Sequence, residues 1–400
     1  MKAFNFYSDS RVIFGAGRLN ELGEMKLPGT KALLVTTNGN SVKKYGYLDK
    51  VKGLLEKQGV EYVLYDKIIP NPTVKLVDEG AALAKETGCD FIVALGGGSP
   101  IDASKMIAIM CKNPGTIWDY IGGGTAKGQP VENGALPIVA INTTAGTGSE
   151  IDPWAVTTNE ETNEKIGWGI EDCFPKIVIE DPELTVSVPA TFTAYQGMDT
   201  FFHLAECYIS SLTNDFNDIF SLKGIELIAK YLPRAVADGN DMEARSQVMF
   251  ANMLGGYTQF ISGCVSQHAM EHAMSGAHQD LTHGVGLLLI CDEYFEFFAD
   301  KPGYGERYAN MAKAMGVDVD ALPESERAMV FVQALKDLKK ACGVGDLKPA
   351  DYGMSADEAE DLAKLARSIM PDMFVDPGAH DVYQTTEEET ASIFRKALSK

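Results

Sequence analysis

Short β-rich runs alternate with amphipathic helical stretches over the first ~185 residues, and that alternation limits the possible folds more than any other feature. Arg11–Phe14 (RVIF), Lys31–Thr36 (KALLVT), Glu61–Tyr65 (EYVLY), Asp90–Leu95 (DFIVAL) and Leu136–Ile141 (LPIVAI) read as strands. Val51–Gln58, Val77–Thr87 and Asp102–Cys111 lie between them with helical spacing. Repetition of this kind builds βαβ units, a mostly parallel sheet with helices on both faces. After DPELTVSVP (181–189) the texture changes. From Thr191 the segments 191–211, 215–238, 242–265, 267–276, 285–299, 303–315, 323–342, 355–369 and 386–399 all read as helices. Four hundred residues exceed the size at which one core stops growing. We therefore expect two domains, α/β over 1–185 and all-helical over 186–400.

Composition removes several classes of function. The formal charge of −21 and a pI near 4.7 repel phosphate backbones and anionic lipid, so neither nucleic acid nor a membrane surface is an expected partner. No apolar run approaches the roughly 18 residues of a spanning helix. The N-terminal MKAFNFYSDSRVIFG reads as lacking the apolar core of a signal peptide, so we expect a cytoplasmic chain. Seven cysteines, odd in number, scattered and without a CxxC pair, read as small core hydrophobes in a reducing compartment.

Three polar turns follow strands of the first domain. Phe91–Lys105 (FIVALGGGSPIDASK) runs from a buried strand through three glycines and Ser99 into a helix. A plain strand-to-helix turn needs one glycine; three allow close backbone approach to a pyrophosphate at a helix N-terminus. Asn142–Glu150 (NTTAGTGSE) lies after another strand, at the edge where parallel sheets bind ligands. Thr36–Lys44 (TTNGNSVKK) carries no acid to hold a ribose 2′-hydroxyl. Gly39, Ser41 and two lysines there suit a 2′-phosphate instead, which argues for NADP(H) over NAD(H). Gly15-Ala16-Gly17 lacks the third glycine of a fingerprint and reads as a turn.

The imidazoles are concentrated. Four of the six histidines, His268, His272, His278 and His283, fall within Gln267–Leu287. His203 follows Asp199 by four residues, so both leave one helix face. A carboxylate with three imidazoles is an O/N set suited to Fe(II), Zn(II) or a similar ion. Asp199, His203, His268 and His283 are the candidate ligands, with His272 or His278 as competing assignments. His380 reads as a surface histidine. Lys165 and Trp168, in NEKIGWGI, are candidates for closing the substrate end, with an exposed loop as the simpler account.

Taken together, GGGSPID (96–102), TTAGTGSE (143–150), DPELTVSVP (181–189), TAYQGMDTFFH (193–203) and HAMEHAMSGAHQDLTHG (268–284), with the Pro70–Thr73 segment PNPT, resemble the iron-containing alcohol dehydrogenase family. The motifs stand in family order across most of the chain. The resemblance implies a dehydroquinate-synthase-like architecture: a dinucleotide-binding α/β domain, then an all-α metal-binding and substrate domain. It places the metal on Asp199, His203, His268 and His283, and the pyrophosphate on Gly97, Gly98 and Ser99. Further cofactor contacts fall on Asn71, Asp102, Thr143, Thr144, Thr147 and Leu184, with Gly39 and Ser41 at the 2′-phosphate as in butanol-dehydrogenase-like members. His272 then stands beside the reacting carbon as the catalytic residue. The implied activity is metal-dependent hydride transfer between NADP(H) and a small alcohol or aldehyde, in a homodimer or larger homo-oligomer. Three departures stand out: Asp152 where several members carry Thr, Ser104 for a usual Ala, and an interval to His283 one residue longer, which adds His278 near the site.

Competing readings are an NAD-linked polyol dehydrogenase of the glycerol type, a sugar-phosphate cyclase, and a protein that binds metal and dinucleotide without turnover. The cyclase needs a basic pocket, and the histidine-bearing motifs are poor in Lys and Arg.

Overall fold

The computed structural model describes residues 2–375 and 379–400. The chain forms two compact units, Tyr7–Val188 and Pro189–Lys400, the latter joined by Met1–Phe6. The division falls three residues after the expected 185/186, and the N-terminal segment goes with the helical unit. The reason is aromatic packing: Phe4 stacks on Phe216 at 5.1 Å, and Phe6 lies 5.2 Å from Phe216 and 5.9 Å from Tyr257.

In the first unit the described residues include a six-stranded parallel sheet. The elements run β1 (Arg11–Phe14), β2 (Lys31–Thr37), α1 (Ser41–Lys44), α2 (Tyr47–Lys57), β3 (Glu61–Ile68), α3 (Val74–Thr87), β4 (Phe91–Gly96), α4 (Gly98–Lys112) and β5 (Ile138–Asn142). A two-stranded hairpin, β6 (Trp154–Asn159) and β7 (Glu164–Gly169), and then β8 (Ile177–Glu180) complete it. The order β1-β8-β5-β4-β2-β3 makes the chain reverse direction between β2 and β4, the kind of switch point where such sheets take ligands. Phe91, Val93 and Leu95 of β4 face the core built with Val51 and Leu55 of α2, while Ala94 packs with Ile101 of α4. Both sheet faces are covered, so these strands read as unbroken apolar runs instead of alternating ones. Every residue of α4 from Pro100 to Met110 is buried, as in a helix enclosed on all sides.

The helical unit contains α5 (Ala190–Ile209), α6 (Asp215–Ala237), α7 (Met242–Ile261), α8 (Ser266–Ala277), α9 (His283–Ala299), α10 (Gly305–Ala314), α11 (Glu324–Ala341), α12 (Ala359–Ile369) and α13 (Glu387–Leu398). These follow the periodicity closely. α7 stops short of 265 because Gly263 takes a left-handed φ of 78°. α5 runs through the middle: everything from Gly197 to Ile209 is buried. A Cβ on Gly197 would come 2.2 Å from Leu232 Cδ1, so the glycine is what lets α6 lie this close. No helix among the described residues is long and apolar enough to cross a membrane.

The structure differs from two of these expectations. Lys165 and Trp168 are not on an exposed loop: they belong to β7, with Lys165 buried and Trp168 half-buried. The Thr/Asn/Glu run before them is the turn of a hairpin, with Asn163 at φ 57°. All seven cysteines are free; Cys173, Cys207, Cys264, Cys291 and Cys342 are buried, while Cys89 and Cys111 are only half-buried.

Candidate metal centre and nucleotide loops

α5 supplies Asp199 and His203 one turn apart, α8 supplies His268, and α9 begins at His283. Gly284 fixes how near α9 can start: a Cβ there would lie 2.6 Å from the carbonyl oxygen of Tyr195 on α5. Around Asp199 Oδ1 the structure brings together His283 Nε2 at 3.4 Å, His268 Nε2 at 3.6 Å and His203 Nδ1 at 3.7 Å. These separations are long for hydrogen bonds. They match the ligand spacing around one ion, since bonds of about 2.1 Å in a tetrahedral shell set neighbouring donors roughly 3.4 Å apart. Asp199 Oδ1 and His268 Nε2 are buried and have no hydrogen-bond partner among the described residues. An orphaned carboxylate oxygen facing orphaned imidazole nitrogen is costly in a dry interior unless a cation completes it. The donor set therefore fits a divalent ion.

Buried carboxylates stand behind two of the imidazoles. Glu206 Oε1 lies 2.6 Å from His268 Nδ1, and Glu206 Oε2 accepts the backbone N–H groups of Val265 (3.1 Å) and His268 (3.3 Å). Asp381 Oδ1 accepts the N–H of Ser266 at 3.1 Å. The two acids thus cap the start of α8, which has no cap from its own N-cap side chain. Glu271 Oε2 holds His283 Nδ1. Burial raises the Asp199 carboxyl, but the imidazoles around it outweigh that and hold it well below the usual carboxylate range. Burial lowers His268, yet the Glu206 and Asp199 carboxylates prevail and hold it at about 10. Proton and metal compete for the same nitrogen.

The other histidines divide. His272 is buried, its ring 5.7 Å from that of His283 and 6.3 Å from that of His268. It borders the cluster, and its donor atoms group with Glu271 and His283 instead of Asp199. His278 is half-buried, and its Nε2 pairs with Glu358, ahead of α12. His380 is half-buried, and its Nδ1–H donates to the Cys264 carbonyl at 2.6 Å, so it is not a surface histidine. Cys264 falls within reach of His203 and His268. A hydrogen bond with Cys207, with burial behind it, pushes the Cys264 thiol well up, which disfavours the thiolate a metal would need. Glu206, Glu271 and Cys264 were missed in the sequence. Glu206 follows His203 by three, and Glu271 follows His268 by three; that spacing was the available signal.

In the α/β unit, Gly96, Asn142 and Glu180 align at the carboxyl ends of β4, β5 and β8. Gly96 has φ 146°, Gly97 is the extended N-cap of α4, and Gly98 is its first residue. Ser99 does not cap the helix, and no side chain caps it from the N-cap position. A Cβ on Gly97 would meet Thr144 Oγ1 at 2.6 Å, and one on Gly98 would meet Thr147 Cγ2 at 2.5 Å. The glycine loop and the threonine loop therefore lie against each other. Thr143 N–H donates to Gly96 O at 3.0 Å, and Thr144 N–H to Asn142 Oδ1 at 3.1 Å. Burial and the neighbouring Glu150 push the Glu180 carboxyl well up, and Asn142 donates to it at 3.1 Å.

Asp102 is committed internally: Oδ1 accepts from Ser149 Oγ at 2.5 Å and Oδ2 from Val156 N–H at 3.0 Å. Lys105, fully buried, donates to Ser149 Oγ (2.9 Å), Asp152 Oδ1 (3.1 Å) and Trp154 O (2.5 Å). Asp152, where the family resemblance leads one to look for Thr, is the counter-ion of that lysine. Leu184 is buried in the core of this unit, and Asn71 takes a left-handed φ of 55° before Thr73. Gly39 and Ser41 are exposed, while Lys43 pairs with Asp66 at 2.6 Å.

Residues 9–182 match a family model described as iron-containing alcohol dehydrogenase, and residues 193–398 match the C-terminal model of the same family. A choline dehydrogenase of Bacillus subtilis is 37% identical, over 92% of this chain and 90% of the relative. An NADH-dependent butanol dehydrogenase B of Clostridium acetobutylicum is 36% identical, over 74% of this chain and 76% of the relative. The crystal structure of an archaeal halo-thermophilic alcohol dehydrogenase from a Red Sea brine pool superposes with a TM-score of 0.91 at 34% identity, covering all of both chains.

Proposed function

The chain belongs to the iron-containing alcohol dehydrogenase family, and from that premise we propose that it transfers hydride between NADP(H) and a small primary alcohol or aldehyde. Fe(II), with Zn(II) as the alternative, is held by Asp199, His203, His268 and His283. The observation that carries this reading is the buried, unpartnered Asp199 Oδ1 with three imidazole nitrogens 3.4–3.7 Å away. When bound, the ion supplies Lewis acidity toward the substrate oxygen and the nicotinamide supplies or accepts the hydride.

The residues of the chain do the rest. Backbone N–H groups of Gly97, Gly98 and Ser99, at the start of α4, take the pyrophosphate. Thr143, Thr144 and Thr147 orient the nicotinamide half, with Asn71 and Leu184 as further contacts. Asp102 acts indirectly, through the Ser149 hydroxyl it holds. Gly39 and Ser41 receive the 2′-phosphate. His272, buried beside His283, passes the substrate proton toward solvent. The enzyme works in the cytoplasm as a homo-oligomer, a dimer or larger, which sedimentation velocity checks.

A second reading has NAD(H) as the cofactor. It is favoured by Lys43, already engaged with Asp66, and by the NADH-dependent name of the clostridial relative. Metal-loaded enzyme assayed against an aldehyde and alcohol panel with each cofactor tests both. Aldehyde-dependent NADPH oxidation with higher kcat/KM than NADH supports the proposal; preference for NADH moves it to the second reading. No turnover with any member would sink both.

A further inference from the structure

We infer that Glu271 is a positioning residue for His283, a role that rests on the metal reading above. Glu271 sits on α8, three residues after His268, yet its carboxylate reaches the first residue of α9 and engages His283 Nδ1. With Nδ1 held, Nε2 is the nitrogen presented to Asp199 Oδ1, 3.4 Å away. His268 repeats the arrangement: Glu206 is at Nδ1, 2.6 Å, and Nε2 lies 3.6 Å from the same oxygen. A carboxylate at one ring nitrogen fixes the tautomer and makes the other nitrogen a better donor to a cation.

The two acids are not equivalent. Glu206 also takes two backbone N–H groups at the start of α8, so replacing it disturbs the helix as well as the imidazole. His283 is the ligand with the greater need of an orienting partner. The His283 side chain is 23% exposed, against 5% for His203 and 6% for His268, so packing alone holds it least. The space for Glu271 is made by Gly286: a Cβ there would come 2.8 Å from Glu271 Cγ and 2.8 Å from Oε1. One turn of α9 thus carries the ligand, His283, and the absent side chain, Gly286, that lets its orienting acid fit.

The test is Co(II) binding to metal-stripped wild type, Glu271→Ala, Glu271→Gln and Gly286→Ala, read by chelator competition and by the visible d–d spectrum. Loss of an orienting partner of this kind costs about 10–100-fold in metal affinity. Glu271→Ala should fall in that range with shifted cobalt bands, and Gly286→Ala should weaken binding in the same direction. Glu271→Gln, whose amide oxygen still accepts the Nδ1–H, should recover most of the affinity. Should Glu271→Ala fail to fold, the Gln and Gly286 variants carry the comparison. Wild-type affinity and spectrum in Glu271→Ala would overturn the role, as would a Gln variant as weak as the Ala variant. If wild type itself takes up no Co(II), the metal reading fails first and the role of Glu271 goes with it.

Discussion

Gly98→Ala is the most economical probe of the proposed nucleotide loops. The backbone of Gly98 is that of an ordinary first helical residue, without positive φ, so the substitution brings no conformational strain. Alanine in place of glycine in a helix gains up to about 1 kcal/mol. Against that, the new methyl would sit 2.5 Å from Thr147 Cγ2 and 2.9 Å from Thr147 Oγ1, contacts that must open. Overpacking of this order costs roughly 1–3 kcal/mol. The gain offsets part of this cost, leaving a net loss of about 1 kcal/mol in global stability. The displacement itself falls on Thr147, and a misplaced contact worth 1.4 kcal/mol is about tenfold in affinity. We expect the Kd for NADPH, measured by fluorescence on addition of enzyme, to rise at least about tenfold while the melting temperature moves little. Thr147→Ser in the same chain removes Cγ2, the nearest atom, and keeps the hydroxyl, so the double variant should regain most of the affinity. Unchanged binding in Gly98→Ala, or a double variant no better than the single, would refute the argument that these loops form one cradle.

Two pH effects follow from the buried acids and imidazoles. His268 is held at about 10 by Glu206 and Asp199 against the effect of burial, so near neutrality metal must displace its proton. Metal affinity should therefore rise with pH, by roughly tenfold per unit for each proton released, in chelator competition between pH 6 and 8; a flat profile contradicts it. Burial, working against Lys105, pushes Asp152 up to about 7. A raised acid contributes stability that is full below about pH 3.8 and is lost as pH rises through about 7. In urea unfolding, wild type relative to Asp152→Asn should thus stand better at pH 5 than at pH 8, and a difference that does not change with pH would show that Asp152 titrates normally.

The elements that a local pattern defines were legible. Buried parallel strands announced themselves as apolar runs, and the helices of the second unit kept their period of 3.6. Asp199 and His203 showed the spacing that puts both on one face of α5, and Glu206 completes that face without having drawn attention. What escaped lacks a local signature. The β6–β7 hairpin hides in a polar Thr/Asn/Glu run. The partners of buried charge are set by the tertiary fold: Glu206 meets His268 across 62 residues, and Lys105 meets Asp152 across 47. A single histidine carries no period, which is why His278 and His380 could be placed only by their contacts with Glu358 and Cys264.

The central claim is that Asp199 anchors a metal. Metal analysis of anaerobically purified wild type and Asp199→Ala, with far-UV circular dichroism to confirm the fold, tests it directly. The prediction is about one divalent ion per chain in the wild type and under a tenth of that in the variant, because three imidazoles alone leave the ion without its carboxylate. Equal metal content in the two, or a fully active wild type that carries none, would contradict the account.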